Sequence, residues 1–413
     1  MLMRVLRRYR LVLLAGVGAL LLGAAALPAP TGAVPSCAQP AGPAQMRAVW
    51  IAGVDNVDWP SRPGLSVADQ QQEYRTILDD AQRRRLNTVM VQVRPTADAF
   101  WPSPFEPWSQ WLTGTQGQDP GYDPLAFLVQ ETHNRGLAFH AWFNPFRISK
   151  QADVGRLTAN HPARLHPDWV LTYGGRLYYD PGKPEVREFV MNAMMDAVRR
   201  YDVDAVHFDD YFYPYPDGSA PIPDAATFTA HGGGFTDVAD WRRDNVNQLV
   251  RGMSERIRAA KPGVEFGISP FGIWRNASED PRGSATSGLS SYSAIYADTL
   301  TWIDNRWINY VVPQIYWEIG NPRADYATLM PWWARAVAGK RVDLYVGQAA
   351  YKVGSSSAWG DGQLAEHLAL NRAHPEVLGD VYFSAASLRS NAAAAIDQVA
   401  AEYYRATARS PGC

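Results

Sequence analysis

Two adjacent carboxylates, Asp209 and Asp210, close the apolar run Ala205-Val206-His207-Phe208, and three rings, Tyr211, Phe212 and Tyr213, follow at once. Carboxylates are expensive to place at the end of an apolar strand unless they are paired, hydrogen-bonded or needed for chemistry. Aromatic rings beside them offer flat apolar faces of the kind on which sugar rings stack. A pair of acids can divide the breaking of a glycosidic bond, one giving a proton and the other acting as nucleophile or charge stabiliser. The pattern points to carbohydrate chemistry at a strand mouth.

Side-chain alternation along a strand decides which acid points inward. His207, Asp209 and Tyr211 share one face, and Val206 and Phe208 suit the opposite, helix-facing layer, so Asp209 is expected in the mouth. Asp210 sits where strand gives way to loop, and alternation leaves its direction open; either acid could instead cap loop amides. Neighbours on one strand need not span a scissile bond, so a partner from another strand is expected. Glu318 is the best placed by sequence, ahead of Asp98, Asp55, Glu279 and Asp280. Arg94, Arg147 and Arg275 could hold the acids ionised or bind an acidic substituent, the alternative being plain ion pairs. Asn144, Gln314 and Tyr316 are natural partners for hydroxyls or an N-acetyl group, and Trp142, Tyr211, Tyr213 and Trp317 supply rings. Trp101, Trp108 and Trp111 could line an extended sugar groove or form a loop mini-core.

These residues sit at one end of short apolar runs. Strands are expected at Arg47–Gly53, Thr88–Arg94, Ala138–Asn144, Ala205–Asp210, Glu265–Pro270, Tyr310–Trp317, Asp343–Gln348 and Gly379–Ala385. They are rich in Val, Ile, Phe and Tyr, as strands buried on both faces should be. Between them lie helical stretches at Val67–Arg85, Pro124–Arg135, Pro184–Tyr201, Asp240–Ala260 and Gly362–Ala373, and Asn391–Thr407 closes the chain. Eight strand–helix repeats without a linker predict a single (β/α)8 barrel over residues 37–413, its active face at the C-terminal strand ends. The excess length falls in loops after the third strand, from Phe146 to Pro184, and the fourth, from Tyr211 to Asp240.

The 413 residues carry a formal net charge of −2, which gives no support for a nucleic-acid partner. Residues 1–36 read as an export leader and short linker. Arg4, Arg7, Arg8 and Arg10 precede the apolar run Leu11 to Leu27, then small residues reach Ala33. An uncleaved anchor is the alternative. The two cysteines, Cys37 and Cys413, are expected to pair as a disulfide joining the ends of a closed barrel. A lipid on Cys37 is the rival, against which Val34-Pro35-Ser36 is a poor lead-in. His140 and His207 raise a metal alternative, but no His-x-His pair occupies the first strand and both suit buried, hydrogen-bonded positions. No phosphate loop or dinucleotide fingerprint follows a strand, so no metal or cofactor is expected.

Six ordered motifs, Met46-Arg47-Ala48-Val49-Trp50-Ile51, Gln92-Val93-Arg94-Pro95, Trp142-Phe143-Asn144-Pro145, His207 to Pro214, Ile268 to Asn276 and Pro313-Gln314-Ile315-Tyr316-Trp317, resemble the glycosyl-hydrolase-like 10 family of bacterial exported proteins over residues 45 to 400. The resemblance implies a TIM barrel and, for some members, hydrolysis of peptidoglycan glycan strands stripped of stem peptides. The fourth-strand end also looks like the Asp-x-Asp-x-Glu strand of chitinase-type barrels, with Tyr211 standing where those carry the acid. The expected function is an exported glycoside hydrolase acting on cell-wall glycan. The alternatives are a non-catalytic glycan-binding barrel and a metal-dependent deacetylase.

Overall fold

The computed structural model describes residues 42–411. The apolar runs form a closed parallel barrel of β1 (Met46–Ile51), β2 (Thr88–Arg94), β3 (Ala138–Phe143), β4 (Ala205–Phe208), β5 (Glu265–Ile268), β6 (Tyr310–Val311), β7 (Asp343–Gln348) and β8 (Val377–Tyr382). Each strand pairs with the next, and β8 returns to β1 with Met46 opposite Gly379. This is the expected (β/α)8 architecture. The leader, Cys37 and Cys413 lie outside the described residues. At the described ends, Ala44 bridges Arg409.

Alternation sorts each strand into two layers. On β4, Val206 and Phe208 join the large apolar layer that also contains Val246 and Leu249 of the helix Val238–Ala260. The barrel interior is a smaller cluster that includes Trp50, Met90, Trp142, Tyr310 and Tyr345. His140 and His207 lie in this interior and are bridged by the Tyr310 hydroxyl, at 2.9 and 3.2 Å from their Nδ1 atoms.

Element positions follow the sequence reading, with instructive exceptions. The sixth strand stops at Val311 rather than running to Trp317, because Pro313 has no N–H for the ladder. Two helices, Thr299–Asp304 and Tyr326–Val337, go beyond the sequence expectation. The second contains Pro331 in its interior, a residue that in a sequence argues for a helix boundary and not for a continuous helix. The long loop after β3 folds as a small antiparallel sheet, with Arg176–Tyr179 between Arg147–Ser149 and Val170–Tyr173. The loop after β4 carries the helix Ala225–His231. Both loops rise on the side where the strands end. Among the described residues no helix is long and apolar enough to cross a membrane.

Candidate active site

A cavity of about 240 Å³ opens at the C-terminal mouth of the barrel. It falls below the roughly 300–1,000 Å³ of a site that encloses a whole small molecule, and suits one ring of a longer chain. Its walls are mostly apolar: Trp50, Ala52, Trp142, Tyr316 and Phe383 face it, and Asp209, Asp210 and Arg147 bring the charge.

Asp209 is held from the β3 side. Trp142 Nε1–H donates to Oδ2 at 3.0 Å, and Asn144 Nδ2 approaches Oδ2 at 3.0 Å and Oδ1 at 3.3 Å. The backbone N–H of Tyr211 donates to Oδ1 at 3.1 Å. The register explains the first contacts: Trp142 lies opposite His207 and Phe143 opposite Phe208, so the end of β3 runs beside the end of β4. Arg147 stands near, its guanidinium donating to the Pro95 carbonyl and lying 4.6 Å over the Tyr211 ring. Burial raises the Asp209 carboxyl, and the Arg147 charge and these N–H donors oppose that rise.

Asp210 faces the other way. Gln314 Nε2 donates to Oδ1 at 2.8 Å and Tyr215 donates its hydroxyl to Oδ2. Burial, followed by the charge of Asp209, pushes the Asp210 carboxyl up to about 7. Of the two acids, Asp209 keeps the charge, because three separate N–H groups and a guanidinium face it. Asp210 keeps the proton, because burial and the charge of Asp209 outweigh its one amide donor, and the Tyr215 hydroxyl, which donates to the carboxylate, can turn to accept from the acid. Two carboxyls driven apart in this way form an acid and its charged partner.

Below them lies a chain of neutral hydrogen bonds. Trp50 Nε1–H can only donate, so His207 Nε2, at 3.1 Å, must accept. The proton of His207 therefore sits on Nδ1 and is given to the Tyr310 oxygen, and Tyr310 gives its own to His140 Nδ1. Burial lowers both histidines, His140 to about 4. They support the floor without carrying charge. Among the described residues no group of three or more His, Cys, Asp or Glu could hold a metal ion.

Trp142, Arg147, Asp209, Asp210, Tyr211, Gln314 and Tyr316 all line the cavity, and Trp317 lines an adjoining cleft. Asn144 is fully buried and acts on Asp209 instead of facing the opening. Four expected residues belong elsewhere. Arg94 is fully buried in an ion pair with Glu106, its Nη1 reaching the Asn144 and Pro145 carbonyls. A register shift between Gln92 and Arg94 puts Arg94 opposite Phe143 and so on the outer layer. Tyr213 is buried on the outside of the barrel, its oxygen accepting from Asn245 at 3.1 Å. Arg275 pairs with Asp280 at 3.0 Å and lies over Tyr292.

The fourth is Glu318, expected as the second catalytic carboxylate, which faces neither cavity. Asn321 Nδ2 and Trp359 Nε1 donate to it at 2.9 and 3.2 Å. Slight burial raises its carboxyl, but hydrogen bonds from its own N–H, Asn321 and Trp359, with Lys352 nearby, hold it below the ordinary value. The weaker candidates fare alike: Asp55 pairs with Lys150, Asp98 binds Thr96, and Asp280 pairs with Arg282. Trp101 is fully buried, packs edge-on against Phe143 of β3 and donates to Asp196, so it belongs to the main apolar layer outside the barrel and lines no sugar groove.

Trp50, Gln92, Tyr215, Ser269 and Phe383 line the cavity in addition to the expected site residues. Gln92 was the most findable, since it shares the inward face of β2 and caps Gly53 and Val54 through its oxygen. Among the described residues its buried Nε2 has no partner, which leaves a spare donor beside the cavity.

Comparison with known proteins gives the family and the fold. A family model described as "Glycosyl hydrolase-like 10" matches residues 45–363. The glycosyl hydrolase YngK of Bacillus subtilis (strain 168) is 50% identical over 384 residues, covering 92% of this chain and 75% of its own. The glycosyl hydrolase DigH of Escherichia coli (strain K12) is 42% identical over 378 residues, 86% of each chain. Among solved structures, the PgaB (BpsB) glycoside hydrolase domain from Bordetella bronchiseptica aligns over 86% of this chain and 98% of its own. Its TM-score is 0.52 at 13% identity, a likeness of fold.

Proposed function

The chain belongs to the glycosyl hydrolase-like 10 family, and on that premise we propose that it hydrolyses glycosidic bonds in a cell-wall polysaccharide, namely peptidoglycan glycan freed of its stem peptides. The observation that carries the reading is the unequal set of partners at two adjacent buried acids: indole, amide and backbone N–H groups converge on Asp209, whereas only Gln314 and the Tyr215 hydroxyl meet Asp210. Asp210 gives its proton to the leaving oxygen, and ionised Asp209 faces the positive charge that develops at the anomeric carbon, as nucleophile or stabiliser. A water then attacks that carbon and returns a proton to Asp210.

The substrate class rests on the cavity walls. Trp50, Trp142 and Phe383 suit the apolar face of a sugar and the methyl of an N-acetyl group, and Gln92 Nε2 offers a donor for a carbonyl or hydroxyl. The basic-then-apolar leader adds an export route, so that enzyme and wall would share a compartment.

The test is digestion of peptide-free glycan by the mature protein and by Asp209→Asn, with products read by mass spectrometry. Shortened chains from the wild type and intact chains from the variant are expected. Intact chains in both, with glycan still retained in a pull-down, would instead make this a glycan-binding barrel.

A further inference from the structure

A second cleft, of about 230 Å³, adjoins the central cavity. The two share Asp210, Tyr215, Gln314 and Tyr316, whereas Asp209 lines the central one alone. That sharing has a chemical meaning if the chain is a glycosidase. A general acid must reach the bridging oxygen, which belongs to both sugars. The charge-stabilising carboxylate need only meet the sugar whose anomeric carbon reacts. Asp210 stands where the first task is done and Asp209 where the second is.

The second cleft is also built as a platform. Its own walls are Phe271, Gly272, Leu289 and Trp317. A Cβ on Gly272 would lie 2.6 Å from the Gln314 oxygen and 2.8 Å from Trp317 Cζ3, so the indole seats against bare backbone. Trp333 Nε1 pins that backbone by donating to the Gly272 carbonyl at 2.8 Å. Leu289 stays 54% exposed at the rim. Among the described residues, three of the six exposed large apolar side chains, Val57, Leu289 and Tyr351, line these two clefts. Such clustering marks a binding surface more than chance exposure does.

We propose that the Trp317 cleft is the subsite for the leaving sugar, that it takes a neutral N-acetylhexosamine, and that the central cavity takes the sugar whose anomeric carbon is attacked. The inference rests on the glycosidase reading above. Neutrality follows from the walls: among the described residues no Lys or Arg lines the cleft, so a sugar carboxylate would be desolvated there without a cation to pair with. The cation of the site, Arg147, lines the central cavity. Peptide-free wall glycan alternates a neutral N-acetylglucosamine with a muramic acid that bears a carboxylate. The bond cut is therefore the one leaving from muramic acid C1. The C1–O bond breaks, the Asp210 proton goes to the departing oxygen, and water supplies hydroxyl to C1 and its remaining proton to Asp210.

Two measurements decide the matter. Reduction of the products with borohydride should convert muramic acid, and not glucosamine, to its alditol; reduced glucosamine would overturn the assignment of occupants. Trp317→Ala should raise KM for glycan about tenfold, as loss of a stacking face does, while hydrolysis of a glycosyl fluoride, whose single leaving atom does not reach the cleft, changes less than about twofold. Equal losses on both substrates, or none on glycan, would overturn the subsite. Should the wild type cut neither substrate, the glycosidase reading fails by itself. The cleft is then judged by titrating the wall disaccharide into Asp209→Asn protein with and without Trp317→Ala: about tenfold weaker binding supports a sugar subsite, and equal binding overturns it.

Discussion

Replacing Asp210 by Asn removes a proton-binding site while nearly preserving shape, and its effect on stability can be worked out in sign and size. The native carboxyl is pushed up to about 7 from an ordinary value of 3.8, by burial and then by the charge of Asp209. Above pH 3.8 the native state therefore binds more protons at this position than the unfolded chain, and stability falls as pH rises. The fall is complete once pH passes about 7. At about 1.36 kcal/mol per pH unit, the span from 3.8 to about 7 corresponds to about 4 kcal/mol, an upper figure because the pair shares one proton. Asp210→Asn escapes this cost.

The variant should thus match the wild type near pH 4 and exceed it near pH 8 by up to about 4 kcal/mol in urea unfolding, although it loses glycan hydrolysis. The wild-type kcat/KM should decline as pH rises through about 7, where Asp210 gives up its proton. A stability difference that is the same at both pH values would refute the reasoning, since it would show that the Asp210 carboxyl is not held protonated by the fold.

Three further substitutions test the surroundings. Trp142→Phe deletes an N–H donor to the charged carboxylate of Asp209; by the usual worth of such bonds, kcat should fall about tenfold to a hundredfold, and the acid limb of the pH profile should move upward. Steady-state kinetics across pH would show both. Arg94→Met strands Glu106 in the interior and should cost about 3–5 kcal/mol in urea unfolding, with KM unchanged in whatever protein folds. A raised KM at unchanged stability would return Arg94 to the substrate. Glu318→Gln should leave kcat within about twofold, since its carboxylate faces Asn321 and Trp359 instead of the cavity; abolished turnover would make Glu318 the missing acid.

Strand positions and the strand-four acids were legible because each depends on local pattern. Period two put Asp209 inward and Val206 and Phe208 outward, and the packing agrees. The residues misplaced by sequence reading depend on events that a single chain does not print. One shift in the pairing of β2 with β3 turned Arg94 from the mouth to the outer layer. Strand six ends at Val311, ahead of Pro313, so the chain that carries Glu318 has left the barrel wall and follows its own turns. Trp50 and Phe383 were overlooked for another reason: by residue type they read as core, and only barrel closure between β8 and β1 brings both to one opening.

The pair Asp209-Asp210 shows how a barrel mouth makes unlike groups from like residues. The two share one backbone turn and the same burial, so neither composition nor depth separates them. What separates them is the direction from which partners arrive. Asp209 reaches toward β3, whose end supplies indole and amide N–H groups, and donors that cannot accept favour the charged form. Asp210 reaches across to Gln314, beyond β6, and to Tyr215 in the loop. Of those partners, the hydroxyl can serve a carboxylic acid as well as a carboxylate. Once Asp209 is charged, its field adds to the burial that keeps Asp210 neutral. The acid and its charged partner are therefore set by neighbouring strand ends, and exchanging those neighbours, more than exchanging the acids, is what would reverse their roles.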